Sequence, residues 1–235
     1  MSWIDIVVVL VIFVISFFSV ISGGIGLLSR PILILLGFPP EIAIGTFRVA
    51  NLAGRMAGFS AIMHRHAVRM DWKLAGWLFI PSLIGGIAGA EIVSLLPADS
   101  IKKVLGAFIL VMGVILLMKR ELGLVERSEP ITKAKNTVGF IATIIIGIIA
   151  AFIGGSGILF AYMLIFVYDK SYLSSAPVRK IANFGSALSS SIFFIIHGFV
   201  RWKLMILILI AGVLGEYLGG RYQIKKGEEW VRTIT

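Results

Sequence analysis

Arg48 and Arg55, seven residues apart, and Arg179 stand inside otherwise apolar stretches of this chain. Seven residues make about two helical turns, so Arg48 and Arg55 share one helix face. A guanidinium carries a planar fork of donors that matches the oxygens of an oxyanion. At the centre of a bilayer span it costs at least about 2.5–3.5 kcal/mol, so it faces a cavity or a partner. Asn51 and Asn183 lie about one turn beyond Arg48 and Arg179 and offer neutral amide donors. Two glycine clusters add a second device: Ser22-Gly23-Gly24-Ile25-Gly26 and Gly154-Gly155-Ser156-Gly157. Helices that restart after Gly26 and Gly157 present free N–H groups and the positive end of the helix dipole, and Ser22 and Ser156 add hydroxyls. The chemistry these residues suit is the holding of a small anion in a dry place.

Each residue also has a plainer reading. Arg48 and Arg179 can snorkel from near a helix end to a lipid interface. Arg55 can form a structural ion pair with Glu91 or Glu216, and those two carboxylates can instead take up protons for coupling. His64, His66 and His197 fall in polar connections, and no two of them have metal-ligand spacing within a span. No metal, no cofactor and no catalytic residue is therefore expected. An intramembrane enzyme needs a nucleophile–base or metal constellation, and the apolar segments hold no cysteine, no His-rich helix and no paired aspartates.

The elements that must position these groups are membrane helices. Of 235 residues 58% are hydrophobic and only 14% charged, against about 45–50% and about 25% in soluble domains; the mean hydropathy is +1.00. The absence of cysteine excludes disulfides. The net charge of +10 sits between apolar segments, where Lys and Arg anchor helix ends and meet anionic lipid headgroups; lipid, rather than nucleic acid, is the partner it points to. Met1–Asp5 has neither the basic region nor the cleavage site of a signal peptide, so it reads as part of a retained first helix.

Apolar runs fall at roughly 3–36, 42–63, 73–96, 101–118, 137–168, 174–196 and 203–222. The first and fifth are too long. As one rod, residues 3–36 would extend about 50 Å against a core of about 30 Å. Both are interrupted by the glycine clusters, which predicts a helix broken in the membrane or a re-entrant hairpin. Close helix packing at glycine is the competing reading, but it does not account for the length.

The breaks belong to a wider self-similarity. Gly23, Gly24 and Gly26 match Gly154, Gly155 and Gly157 at an offset of 131, and Gly85 and Gly89 match Gly215 and Gly219 at 130. Arg48-Val-Ala-Asn51 resembles Arg179-Lys-Ile-Ala-Asn183, and Trp72-Lys73-Leu74 resembles Trp202-Lys203-Leu204. We read an all-α polytopic membrane protein of two repeated halves, residues 1–118 and 137–235, joined by a polar linker over 119–136. A counterpart to the first half's last helix is expected to begin near Val231-Arg232-Thr233-Ile234, where the sequence stops, so either the second half is one helix short or the chain is truncated. If the glycine-broken runs are hairpins, each half has three further crossings and the halves are inverted; otherwise they are parallel. Hairpins, hence inversion, are the preferred reading. The spacing of Gly85 and Gly89, and of Gly215 and Gly219, reads as close helix packing. Basic residues favour placing loops 64–72 and 119–136 on the cytoplasmic side; by the same count the tail with Lys225, Lys226 and Arg232 falls opposite.

The paired glycine breaks, the Ala43-Ile-Gly-Thr46 step that opens the next helix, and the basic stretch ending in Asp71-Trp72, all recurring about 130 residues later, resemble the TauE/SafE sulfite-exporter family of membrane permeases. The likeness covers nearly the whole chain. It implies a multi-pass permease of a prokaryotic cell membrane, without ATP-binding domains, for small sulfur-containing anions such as sulfite or organosulfonates, and it adds Thr46 to the substrate-binding candidates. Two departures stand out: Phe47-Arg48 follows the Gly-Thr step, and the second half has Ala176-Pro177 there. The function expected is alternating access between two repeats. An anion channel filtered at the glycine breaks is the alternative, with an intramembrane enzyme behind it. The number of subunits is left open, a dimer included.

Overall fold

A computed structural model of the chain describes residues 3–22, 28–63, 71–118, 132–153, 156–172 and 174–226, and their side chains except those of 20–22, 53–63, 112–118, 220 and 223–226. The described residues are helical, with no strand. The helices are α1 (Trp3–Ser22), α2 (Ser29–Leu35), α3 (Pro40–Met63), α4 (Trp72–Leu95), α5 (Ala98–Met118), α6 (Lys133–Ile153), α7 (Gly157–Tyr168), α8 (Ser175–Ile196) and α9 (Trp202–Lys226). Local chemistry sets several boundaries. Pro40 opens α3, where its missing N–H is no loss, and Asp71 caps α4 by accepting from the Leu74 N–H at 3.1 Å. Thr132 Oγ1 accepts from the Lys135 N–H, so α6 starts four residues inside the polar linker.

Both overlong runs turn back on themselves. α1 is described to Ser22 and α2 from Ser29, α6 to Ile153 and α7 from Gly157, and the glycines between them lie outside the described residues. At 1.5 Å per residue α7 is roughly 18 Å long, too short to cross a bilayer core. It folds back on α6: a side chain at Gly139, early in α6, would run into the ring of Tyr168, the last residue of α7. Lys135 closes the open end by pairing with Asp169 at 2.5 Å. In α2, Leu33 shares a core with Val8 and Ile12 of α1. Left-handed residues then turn each chain toward the next helix, Gly37 at φ 89° and Asp169 at φ 54°.

The helices pack reciprocally across the two halves. α1 lies along α9 and α4 along α6. A Cβ on Gly215 would come within 2.5 Å of the Phe13 carbonyl oxygen and one on Gly89 within 2.5 Å of the Ile148 carbonyl oxygen; Gly85 meets the Ile144 carbonyl and Gly219 the Phe17 carbonyl just as closely. The offset of 131 carries Phe13 to Ile144 and Phe17 to Ile148. Glycine is required here because two backbones touch.

Two ends of the bundle follow from these contacts. At one, Lys203 at the start of α9 pairs with Asp5 at the start of α1 at 2.7 Å, and the Arg201 N–H donates to Thr46 Oγ1 in α3. At the other, Lys170 after α7 lies 3.6 Å from Asp71 before α4. α8 runs from the second end to the first, where Phe194 and the Phe199 carbonyl abut Gly45. α1 and α6 thus start at opposite ends. The fold-back of α7 also corrects the placement of the basic tail. It adds a crossing, so α9 ends where α4 and α6 begin.

Candidate functional site

Arg48 is 1% exposed and is the largest fully buried side chain among those described. It leaves α3 and enters the other half of the chain. Nε donates to Ser190 Oγ at 2.7 Å, Nη2 to Ser186 Oγ at 2.8 Å and Nη1 to the Ala150 carbonyl at 2.9 Å. Ser186 and Ser190 are one turn apart on α8, so they present two hydroxyls to one planar fork. The Ala150 carbonyl lies in the last described turn of α6, and a carbonyl oxygen has two lone pairs with which to accept. Arg48 does not snorkel. It ties α3 to α6 and α8.

The second cluster forms where α7 begins. Ser156, 2% exposed, donates to Asn183 Oδ1 at 3.1 Å. Asn183 is 8% exposed, and its Nδ2 lies 3.7 Å from the Cβ position of Gly157. Among the described residues that amide nitrogen makes no hydrogen bond. It lies beside the N-terminal, positive end of the α7 dipole.

Other expected residues are dispersed. Arg179 does not converge with Arg48. It is the fifth residue of α8, its guanidinium 4.3 Å from the Tyr172 ring, and Ser186 lies roughly 10 Å further along the helix. The two arginines stand on helices that start at opposite ends of the bundle, α3 near the Thr46–Arg201 contact and α8 just after Lys170. Asn51 donates to the Phe47 carbonyl of its own helix at 3.1 Å. Thr46 is buried and holds the connection at Arg201. Glu91 and Glu216 are exposed, because Gly85, Gly89 and Gly215 turn the opposite faces of α4 and α9 into their neighbours. Gly23, Gly24, Gly26, Gly154 and Gly155 lie outside the described residues, as do His64 and His66, and the side chains of Ser22 and Arg55 are likewise outside them. His197 is exposed and stacks on Phe193 at 4.0 Å.

Sequence reasoning passed over Arg30. It is 2% exposed, at the second residue of α2, with its guanidinium 5.2 Å from the centre of the Phe47 ring. The signal was present: a cation four residues past Gly26 inside an apolar run. Ser186 and Ser190 were passed over too, since serines one turn apart in a membrane helix are common and their partner is 138 and 142 residues away.

Broken helices at glycine clusters, with buried donors at the restart, now stand beside a match to known sequences. The model of the family described as "Sulfite exporter TauE/SafE" matches residues 8–235. The chain belongs to the TauE/SafE family. Among its relatives a "Probable membrane transporter protein" of Haemophilus influenzae is 27% identical over 225 residues, covering 94% of this chain and 86% of the relative. A "Probable membrane transporter protein ORF9" of Sinorhizobium sp is 25% identical over 223 residues, covering 94% and 84%. "Probable membrane transporter protein YfcA" of Escherichia coli K12 is 25% identical over 221 residues, covering 93% and 80%. No solved structure matches the chain significantly. As a TauE/SafE protein the chain is a membrane transporter. Its helices Trp72–Leu95 and Lys133–Ile153 and residues Trp202–Gly219 of α9 are long and apolar enough to cross a bilayer.

Proposed function

We propose that the chain is a secondary permease for a small anion, sulfite or an organosulfonate, working by alternating access between two inverted halves in a prokaryotic cell membrane. One observation carries the sign of the solute. The interior holds two guanidinium groups, Arg30 and Arg48, each at most 2% exposed, while no Asp or Glu is buried among the described residues. Fixed positive charge in a low-dielectric interior attracts anions and repels cations. The Ser156–Asn183 pair and the start of α7 supply the neutral donors that a compact oxyanion accepts from. The name of the family supports sulfite among such anions. The reciprocal packing of α1 on α9 and α4 on α6 supports rocking of one half against the other. In this reading exposed apolar faces meet lipid, and the chain binds and releases its solute without altering it.

The test is sulfite efflux from loaded proteoliposomes. Arg30→Gln removes a buried charge and Asn183→Asp sets a negative charge at the start of α7. Each is expected to slow efflux at least about tenfold, the loss for about 1.4 kcal/mol of binding. A wild-type protein no faster than empty liposomes overturns the solute, and wild-type rates in both variants overturn the site. Single-channel currents would favour a channel over a carrier.

A further inference from the structure

Arg179 and Lys180 stand side by side early in α8, and among the described residues neither has a carboxylate partner. The two aspartates at this end are already taken, Asp169 by Lys135 and Asp71 by Lys170. The start of a helix is itself the positive end of a dipole, so it offers these cations no compensation. Arg179 is half-buried. Its guanidinium rests on the Tyr172 ring at 4.3 Å, and that ring is 47% exposed. An aromatic ring holds the flat face of a guanidinium and leaves its in-plane N–H donors unsatisfied. One of them, Nη1, is buried and bonds nothing among the described residues. A buried donor without an acceptor is costly, and two adjacent cations repel. One event relieves both: the arrival of an oxyanion, which accepts from the edge of a guanidinium through two oxygens.

The position of the group gives that event a use. Arg179, Asn183, Ser186 and Ser190 follow one another at i, i+4, i+7 and i+11 on α8, the spacing of one helix face. Ser186 and Ser190 are taken by Arg48. Asn183, one turn inward of Arg179, spends its amide oxygen on Ser156 and leaves its amide nitrogen unbonded among the described residues. Unused donors therefore stand one turn apart, the outer one beside an exposed ring and an exposed lysine, the inner one buried.

We infer that Arg179, assisted by the field of Lys180, is an outer capture site for the oxyanion, its first contact at the end bearing Lys170 before it reaches Asn183. This rests on the anion-carrier reading above and adds a binding step outside the Ser156–Asn183 pair. Arg179 is thus not a second Arg48: one guanidinium is caged by protein, the other is left for the solute.

The test is the rate of sulfite efflux from loaded proteoliposomes at sulfite well below saturation. At about 10 mM salt, where the Debye length is about 30 Å, Arg179→Gln is expected to lower that rate at least about fivefold and Lys180→Gln about twofold. At about 0.5 M salt the Lys180→Gln deficit is expected to close, and Arg179→Gln to keep part of its own, because a direct hydrogen bond is not screened. At saturating sulfite both deficits shrink, since capture no longer limits. A deficit that is the same at both salt and both sulfite concentrations means a structural role and overturns the inference. Should Arg179→Gln fail to fold, the salt dependence of Lys180→Gln decides. A wild type that moves no sulfite overturns the carrier reading together with this site, whereas an active wild type with unchanged variants overturns this site alone. If replacing phosphatidylglycerol by phosphatidylcholine in the vesicles slows the wild type but not Arg179→Gln, a lipid phosphate occupies the guanidinium, and the inference is again overturned.

Discussion

At the scale of the residue, Arg48 and Asn183 answer to different forces. Arg48 makes three hydrogen bonds to the opposite half, and hydrogen bonds to charged groups contribute about 1.5–3 kcal/mol each in favourable cases. Arg48→Leu removes both the donors and the tie between α3 and α8. We expect a loss of about 2–4 kcal/mol in stability, measured as chemical denaturation in detergent. Arg48→Lys is expected to recover less than half, because an ammonium cannot satisfy two hydroxyls and a carbonyl laid out for a planar fork. Asn183 differs in that its amide oxygen accepts from the buried Ser156 hydroxyl while its amide nitrogen bonds nothing within the described structure, so Asn183→Ala is expected to cost about 1–3 kcal/mol through the oxygen and to slow sulfite efflux through the nitrogen. Both arginines could be singled out as costly charges in apolar sequence. Which one is caged and which stacks on an exposed tyrosine was not legible, because the serines that distinguish them come from a helix far along the chain.

At the scale of the element, glycine has opposite meanings at positions that look alike. Gly215 and Gly89 touch carbonyl oxygens of the neighbouring helix, whereas Gly76 and Gly106 have nothing within 4 Å of a Cβ. Gly215→Ala forces two backbones apart and is expected to destabilise by about 1–3 kcal/mol. Gly76→Ala should instead stabilise by about 0.5–1 kcal/mol, since it only reduces the freedom of the unfolded chain. Thermal melts of the two variants against wild type check both signs. The hairpins were foreseeable from length, since an apolar run of 34 residues exceeds a bilayer core and glycines interrupt it. Their direction was not. It rests on Tyr168 meeting Gly139 and on the Lys135–Asp169 pair, contacts that periodicity does not encode.

At the scale of the molecule, the fold-back of α7 decides how the halves relate. Because α1 and α9 start at one end and α4 and α6 at the other, single cysteines at Ile4 and Pro39 are expected to label from one side of the membrane and a cysteine at Thr132 from the other. The chain has no native cysteine to interfere. Labelling of Ile4→Cys and Pro39→Cys from opposite sides would remove the hairpin, and with it the inverted relation.

Sequence by itself determined what the solvent must be, where the helices break and which side chains are too costly to leave unaccompanied. These follow from composition, from length against bilayer thickness and from the expense of charge in hydrocarbon, all local or additive quantities. Only the tertiary structure decided that Arg48 is bound by Ser186, Ser190 and Ala150, that Arg30 is buried beside Phe47, and that Arg179 stands apart. Those outcomes depend on which helix faces which across more than a hundred residues, and in a chain so uniformly apolar many pairings satisfy the same pattern until close-packed glycines select one.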